Sequence, residues 1–355
     1  MKWAPVKEGS VLFLSRQSDQ PGLDLKLLAD ELQRRDGSVR VTFMCRRMGE
    51  GGMAMVKTFF VLLGQMRQLA RSRVCIVDGY CIPVSILKHK KQLKVLQLWH
   101  AMGAVKKFGY QTLDKAGGRS GKMARAMCMH RGYHAVVSGS AAMVPYFAEA
   151  FDTPAEKFMP VGMPRIDYLM ENREVLRECI FAAHPELKAG GGRVILYAPT
   201  FRREKEEKKP AALIEALDLS KDRLIVKTHP LRPLSIDDPR VCPVEDFSAL
   251  ELLVAADIVI TDYSAISIEA ASVGAQVYLY VYDYEEYAEN NGMNIDLFAE
   301  LPGFVFRGAD ELAAAIAGDA GDSPIQQAFR EKYVGNLGGS ATAAIAGRIL
   351  SWLAE

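Results

Sequence analysis

Four short polar clusters stand where an apolar run ends, and their residue types suit phosphoryl chemistry. Leu98-Trp99-His100-Ala101-Met102-Gly103 closes the run Val95 to Leu98. A neutral imidazole at a strand's end can take a proton from an attacking hydroxyl, so His100 is a candidate general base. Val226-Lys227-Thr228-His229-Pro230 closes a second run. Pro230 biases His229 away from helical geometry, and alternation puts Lys227 and His229 on one face, a cation and an imidazole suited to phosphate. Ile260-Thr261-Asp262-Tyr263-Ser264 opens onto a helical segment. Ser264 is a plausible N-cap there, with free backbone N–H groups and the helix dipole favouring an anion, and Thr261 and Ser264 adding hydroxyl donors. Leu196-Tyr197-Ala198-Pro199-Thr200-Phe201-Arg202 places Thr200 and Arg202 just past a fourth run. Val161-Gly162-Met163-Pro164-Arg165-Ile166-Asp167 reads as a fixed turn carrying Arg165 and Asp167. For each cluster taken alone, ordinary turn, capping or core roles compete with the functional one.

Other chemistries find little support. The sequence has no H-E-x-x-H, G-x-S-x-G or D-x-D, and the hydroxyl turn at 261–264 is neither a Walker A loop nor a G-x-G-x-x-G. Asp283-Tyr284-Glu285 reads more readily as a solvated helix face than as a metal site. The six cysteines include no C-x-x-C pair and read as reduced thiols, with Cys75 in a core strand. No metal and no cofactor is expected.

The elements that position these clusters alternate. Val11–Leu14, Val39–Met44, Val74–Val77, Val95–Leu98 and His134–Val137 read as strands, separated by helical segments at 23–32 and 56–69 and followed by one to about 150. After the flexible stretch Lys188 to Gly192 a second series begins, with strands Val194–Tyr197, Leu224–Lys227, Ile258–Thr261 and Val277–Tyr280. Helices are expected near 248–255, 264–273, 309–317 and 340–353, and the acid/base run 202–209 reads as an exposed loop. This pattern predicts an α/β protein with two parallel sheets in tandem. Such sheets bind ligands beyond the carboxyl ends of their strands, so the site is expected in a cleft between the domains. The expected divisions are 1–172, 173–335 and a C-terminal helix at 336–355.

Length and composition agree. With 355 residues, 49% hydrophobic and 25% charged, the chain can bury two cores and is not a disordered or fibrous sequence. The near-neutral total hides an asymmetry: residues 1–170 hold 26 Lys and Arg against 13 Asp and Glu, whereas 171–355 hold 18 against 30. The first part is therefore basic and suited to anions, whether nucleic acid, an anionic membrane face or a polyphosphate-type polymer. Met1 to Gly9 carries no apolar run of the secretory type, and no span long enough for a bilayer is visible.

In this order the clusters resemble the CDP-glycerol glycerophosphotransferase family, the teichoic-acid primases and polymerases of Gram-positive bacteria. The resemblance runs through Leu98-Trp99-His100, Gly162 to Asp167, Tyr197 to Arg202, Lys227-Thr228-His229-Pro230, Asp257 to Ser264, Tyr282 to Tyr287 and Glu300-Leu301-Pro302-Gly303. Where many members follow the histidine with Gly-Thr-Pro, this chain has Ala101-Met102-Gly103. The resemblance implies a GT-B-like fold of two Rossmann-type domains, with the donor held mainly by the second. It implies transfer of glycerol phosphate or ribitol phosphate from a CDP-polyol to a hydroxyl of a lipid-linked acceptor, with release of CMP. His100 matches the family's general base and His229 the histidine at the donor pyrophosphate. Thr261, Asp262 and Ser264 match the phosphate turn, and Arg202, with Thr200, Lys227, Gly162 and Arg165, completes the expected donor-binding set. It also implies peripheral attachment to the cytoplasmic face of the membrane, an anionic surface, with no nucleic-acid partner. Two other readings remain open: a GT-B glycosyltransferase using a nucleotide sugar in cell-surface glycan synthesis, and a non-catalytic protein binding an anionic polymer.

Overall fold

Parallel strands covered by helices on both faces lose the polar/apolar alternation of a half-exposed strand and become short continuous apolar runs. That is the pattern of Val11-Leu12-Phe13-Leu14 and Val74-Cys75-Ile76-Val77, all fully buried. The computed structural model describes residues 4–47, 52–115, 118–200, 208–228, 238–318, 321, 323–334 and 340–355. Among them are two six-stranded, all-parallel sheets. The first contains β1 (Ser10–Ser15), β2 (Arg40–Cys45), β3 (Val74–Val77), β4 (Lys94–Gln97), β5 (Ala135–Ser138) and β6 (Phe158–Pro160) in the order β2-β1-β3-β4-β5-β6. The second contains β7 (Val194–Tyr197), β8 (Arg223–Val226), β9 (Val241–Cys242), β10 (Ile258–Thr261), β11 (Gln276–Tyr280) and β12 (Val305–Phe306) in the order β12-β11-β10-β7-β8-β9. The α/β expectation is met.

Each sheet is doubly wound. In the first the chain leaves β1 for β2 on one side and returns to β3 on the other, with Leu14 in register with Val77 and Val77 with Gln97. In the second the reversal lies between β7 and β10, with Ile260 in register with Tyr197. The two strands flanking a reversal send their following loops in opposite directions, which opens a crevice at their carboxyl ends.

The chain divides into two compact units. One comprises Met1–Ala101, Phe108–Asp167 and Gly338–Glu355; the other comprises Met102–Lys107 and Tyr168–Leu337. In the second unit Ile195, Tyr197, Ile258, Ile260, Tyr278 and Tyr280 alternate onto one face of the sheet. They pack there with Leu213, Ile214, Leu312 and Ile316 of the helices Lys208–Ala216 and Ala309–Ala317.

The C-terminal helix Ala341–Ala354 belongs to the first unit, where it packs on the helix Leu23–Arg35 and on β3. Ile345, Ile349 and Trp352 are buried there, each contributing about 1.5–3 kcal/mol. Its first N–H groups are all satisfied. Asp167 accepts from Ala341 N at 3.1 Å and Thr342 N at 2.7 Å, and Ser340 Oγ accepts from Ala343 N at 3.0 Å.

Several expected elements end elsewhere. β8 stops at Val226, so Lys227 lies just beyond the strand. The helix after β10 is Ile266–Ser272, and its cap position is Ala265, with no side-chain cap bond. Ser264 therefore stands one residue earlier than an N-cap, its Oγ accepting from Ile266 N at 3.4 Å. The run 202–209 ends in helix from Lys208 onward, because Ala211 to Ala216 supply strong helix formers and an apolar face for the second core.

Candidate active site

In the first unit the carboxyl ends of β1, β3 and β4 converge on His100. Its Nδ1 lies 2.8 Å from the backbone carbonyl oxygen of Asp78, the residue after β3, and 3.1 Å from Gln17 Nε2, two residues past β1. A carbonyl oxygen only accepts, so in the shorter of the two contacts Nδ1 carries the proton and the neutral ring holds its lone pair on Nε2; the Gln17 amide nitrogen, itself a donor, makes no hydrogen bond to Nδ1 in this tautomer. Arg165 reaches the same place from the start of the helix Pro164–Glu171: its Nη2 donates to the carbonyl oxygen of His100 at 3.3 Å. Arg165 is itself clamped by the buried Asp24, through its backbone N and its Nε, both at 2.8 Å, and through Nη2. Arg165, expected to bind donor, thus grips the backbone that presents His100. Gly162 adopts φ 90°, which a side chain would resist, at the turn after β6, and its N–H donates to Ser138 O at 3.2 Å.

Behind His100 a buried polar chain sets the strand exit. Trp99 has φ 63°, a left-handed conformation costing a bulky residue about 1–2 kcal/mol. Its N–H is met by Gln97 Oε1 at 2.9 Å. The Gln97 amide nitrogen donates to Gly79 O at 3.2 Å and to the Tyr133 hydroxyl at 2.9 Å, and that hydroxyl lies 2.9 Å from His130 Nδ1. Burial, aided by the nearby Arg119 and His100, holds His130 down at about 3. A neutral His130 therefore accepts from Tyr133, whose phenol burial raises well above the ordinary range. Trp99 is fixed from its faces as well, stacked on Phe108 at 5.0 Å, edge-on to Phe151 at 4.9 Å and 4.1 Å from the His100 ring.

Asp78 is also buried, and one of its carboxylate oxygens, Oδ1, has no hydrogen-bond partner among the described residues. Desolvation pushes its carboxyl up to about 6, against the lowering effect of bonds from Ser15 and from backbone N–H groups.

The residues after His100 serve the second unit. Met102, Ala104 and Val105 are buried, Asn294 Nδ2 donates to Ala104 O at 2.9 Å, and Lys107 N donates to Gly292 O at 3.0 Å. The turn Ala101-Met102-Gly103 therefore leads into a segment built into the other unit's core.

In the second unit the crevice between β7 and β10 is laced by the predicted turn residues. Thr200 N donates to Asp262 Oδ2 at 2.9 Å, and Thr200 Oγ1 donates to Asp262 Oδ1. Thr261 is fully buried and its hydroxyl donates to Ala198 O at 2.7 Å. Thr200, Thr261 and Asp262 are thus brought together as the framework of the turn; Thr261 and Asp262 are buried, and Thr200 and Ser264 half-buried. Lys227 is half-buried one residue past β8, its N–H bonded to Tyr197 O. Desolvation lowers its ammonium, while Glu245, Asp246 and Glu251 act to raise it. His229, Pro230 and Arg202 lie outside the described residues. Tyr263 donates to Asp283 Oδ1 at 2.9 Å and stacks on Tyr287 at 3.9 Å, so Asp283 ties the turn after β10 to the helix Tyr284–Asn291. Glu285 points away to an exposed pair with Arg307. Among the described residues no group of three or more His, Cys, Asp and Glu is placed to hold a metal ion.

Gln17, Asp78, Gln97, His130 and Tyr133 were not foreseen. Asp78 carried a signal, being the lone acid among ten basic residues between 51 and 113 and directly following a strand. Gln97, a polar residue at the end of an apolar strand, carried another.

Comparison with known proteins agrees over the whole chain. A family model described as CDP-Glycerol:Poly(glycerophosphate) glycerophosphotransferase matches residues 1–351. The teichoic acid ribitol-phosphate primase of Bacillus spizizenii is 29% identical, over 98% of this chain and 92% of that protein. The teichoic acid poly(ribitol-phosphate) polymerase of the same organism is 26% identical over 98% of this chain but 57% of its own length, so the chain spans little more than half of it. The teichoic acid glycerol-phosphate primase of Bacillus subtilis is 29% identical over 65% of this chain and 61% of that protein. A solved structure of the wall teichoic acid polymerase TagF superposes with a TM-score of 0.73 at 18% identity, over 98% of this chain and 90% of that one. At that identity the likeness shows the fold, which is GT-B-like with two Rossmann-type sheets. With the family model spanning nearly every residue that builds both crevices, the chain belongs to the CDP-Glycerol:Poly(glycerophosphate) glycerophosphotransferase family.

Proposed function

We propose that this protein transfers glycerol phosphate or ribitol phosphate from the corresponding CDP-polyol to a hydroxyl of a teichoic-acid-type, membrane-anchored acceptor, releasing CMP. The observation that carries the mechanism is the His100 tautomer: Nδ1 is committed to Asp78 O, which leaves Nε2 as the basic nitrogen. The acceptor oxygen attacks the phosphorus bearing the polyol, and its proton passes to Nε2. The bond from that phosphorus to the oxygen bridging to CMP breaks, and CMP leaves with the electron pair. Base catalysis of this kind contributes about 10²–10⁴-fold. Charge growing on the phosphoryl oxygens calls for preorganised donors, each worth about 3–4 kcal/mol. In this reading the second unit supplies them through Ser264, Lys227, His229 and Arg202, with Thr200, Thr261 and Asp262 holding the turn. Family membership and the match to TagF, of which one variant was soaked with CDPG, support the donor class.

Attachment to the cytoplasmic membrane face belongs to the same proposal. Among the described residues no helix is long and apolar enough to cross a membrane. The helix Gly52–Leu69 nevertheless leaves Phe59 58%, Phe60 66% and Leu63 44% exposed, with Arg67 one turn on. An apolar face with a cation one turn on suits an anionic lipid surface. Cosedimentation with anionic vesicles, lost in Phe59→Ser/Phe60→Ser, is the expected outcome; equal pelleting of the variant refutes attachment by this face.

The experiment for the reaction offers CDP-glycerol and CDP-ribitol separately, with a lipid-linked acceptor, and measures CMP. Release from one of them, abolished in His100→Ala, is expected. Release of a nucleotide only from sugar donors would establish the glycosyltransferase reading instead. The fold alone is compatible with either donor.

A further inference from the structure

Two guanidinium groups of the first unit meet at Tyr80, and neither has an ion pair among the described residues. Arg16, directly after β1, donates through Nη1 to the Tyr80 carbonyl at 3.1 Å. Its Nε is buried with no hydrogen-bond partner among the described residues. Arg119 lies over the Tyr80 ring, 5.6 Å from its centroid, on an exposed turn held by the bond from Asp114 N to Arg119 O. The pair is linked to the His100 site through its chain neighbours. Arg16 adjoins Gln17, which contacts His100 Nδ1, and Tyr80 lies two residues beyond Asp78, whose carbonyl receives the same nitrogen. The Tyr80 ring is 5.5 Å from His130, and its hydroxyl is tied to Met127 O at 2.8 Å, so the platform under Arg119 is fixed.

This arrangement is costly in the free protein. Burial first, and the like charge of Arg119 after it, depress the affinity of Arg16 for its proton, while Cys81 and Tyr80 act in the opposite direction. Asp78 receives the backbone N–H of Arg16 and the Ser15 hydroxyl on its carboxylate but makes no ion pair with the Arg16 guanidinium among the described residues, and Asp24 is taken by Arg165. A half-buried donor without an acceptor beside a second unpaired cation is the arrangement that an incoming anion completes. The planar fork of arginine matches the oxygens of a phosphoryl group and, unlike an ammonium, keeps its charge when desolvated.

We propose that Arg16 and Arg119 form a phosphate subsite for the acceptor, gripping a phosphoryl group already present in the acceptor chain so that the neighbouring polyol hydroxyl is presented to Nε2 of His100. The subsite rests on the polyol-phosphate transfer reading for its occupant, though not for its existence. It makes the acceptor's existing phosphate part of what is recognised, and so favours an acceptor that already carries a polyol phosphate over a bare alcohol.

The test uses the full chain and separates acceptor from donor. Arg119→Ala and Arg16→Gln are expected to raise the acceptor KM by about 10- to 100-fold, the range of one charge-assisted bond, and to leave the donor KM within about twofold. Inorganic phosphate should compete with acceptor for the wild type and not for either variant. A rise in donor KM instead would assign the arginines to the donor pyrophosphate and overturn the proposal, as would no change in either KM. Should Arg16→Gln fail to fold, Arg119→Ala, on an exposed turn, decides alone. If the wild type releases no CMP from either donor, the transfer reading fails by itself. Thermal melting in inorganic phosphate then judges the subsite: a phosphate-dependent rise in Tm lost in Arg119→Ala supports it, and equal curves overturn it.

Discussion

The imidazole of His100 and the backbone carbonyl of Asp78 are 2.8 Å apart, joining the loop after β4 to the loop after β3. Because the acceptor is main chain, no substitution at position 78 removes it, and the tautomer of His100 is set by the sheet itself. Histidines in metal sites are oriented in the same way, by giving the far ring N–H to a backbone carbonyl or a carboxylate.

His100→Ala should lower kcat for CMP release by about 10²–10⁴-fold with the donor KM little changed. His100→Asn retains a donor able to reach Asp78 O but has no basic nitrogen, so it should be as inactive while more native in stability. Steady-state kinetics paired with thermal melting checks both, and substantial activity in His100→Asn would remove His100 from the role of base.

Gln97 links three partners whose groups are buried, namely Trp99 N, Gly79 O and the Tyr133 hydroxyl. Gln97→Leu removes the partner of Trp99 N and Gly79 O, while the Tyr133 hydroxyl keeps His130, and should cost about 2–3 kcal/mol in chemical denaturation. Since Trp99 then has less to hold its left-handed turn, kcat should fall as well, with the donor KM steady. Tyr133→Phe keeps the bonds of Gln97 to Trp99 N and Gly79 O and should be milder on both counts.

The pH dependence of stability has two opposed contributors at this edge. His130 sits at about 3 in the fold against an ordinary 6.5, so the unfolded chain binds its proton first and stability falls as pH drops through that window. Asp78 sits at about 6 against an ordinary 3.8, so the native state holds a proton longer, and stability from this group falls as pH rises from 3.8 to 6. Asp78→Asn should therefore raise Tm at pH 8 and have no such benefit near pH 3.5. His130→Gln should lessen the loss between pH 6.5 and 3. Melting curves across pH 3.5–8 test both signs.

Asp167 receives two backbone N–H groups and the hydroxyls of Ser340 and Thr342 at the head of the C-terminal helix. Asp167→Ala should cost about 1–3 kcal/mol and make that helix the first segment to exchange its amide protons. Hydrogen exchange confined to Ala341–Ala354 would show this, and uniform protection would contradict it.

Much of the scaffold was legible because buried parallel strands announce themselves as β-branched runs between turn residues. Val74–Val77, Val194–Tyr197 and Ile258–Thr261 stand at the residues expected. β6, β9 and β12 were missed because they are two or three residues long and lie at sheet edges, too short for any periodicity to register. His100 was visible as a residue type at a strand's end. The parts that orient it were not: a backbone carbonyl has no side-chain signature, and the Asp24–Arg165 clamp joins residues 141 positions apart. Ser264 illustrates a nearer failure, a hydroxyl that looked like a cap but sits one residue short because the turn spends Ala265 on entering the helix.

The first unit contains both the first strand and the last helix of the described chain, with nearly all of the second unit threaded between Asp167 and Gly338. During synthesis the surface of Leu23–Arg35 and β3 that Ile345, Ile349 and Trp352 cover must wait, bare, while some 170 intervening residues emerge. At about 5–20 residues per second that interval is on the order of ten to thirty seconds, a period in which the nascent first unit is a natural client for a chaperone.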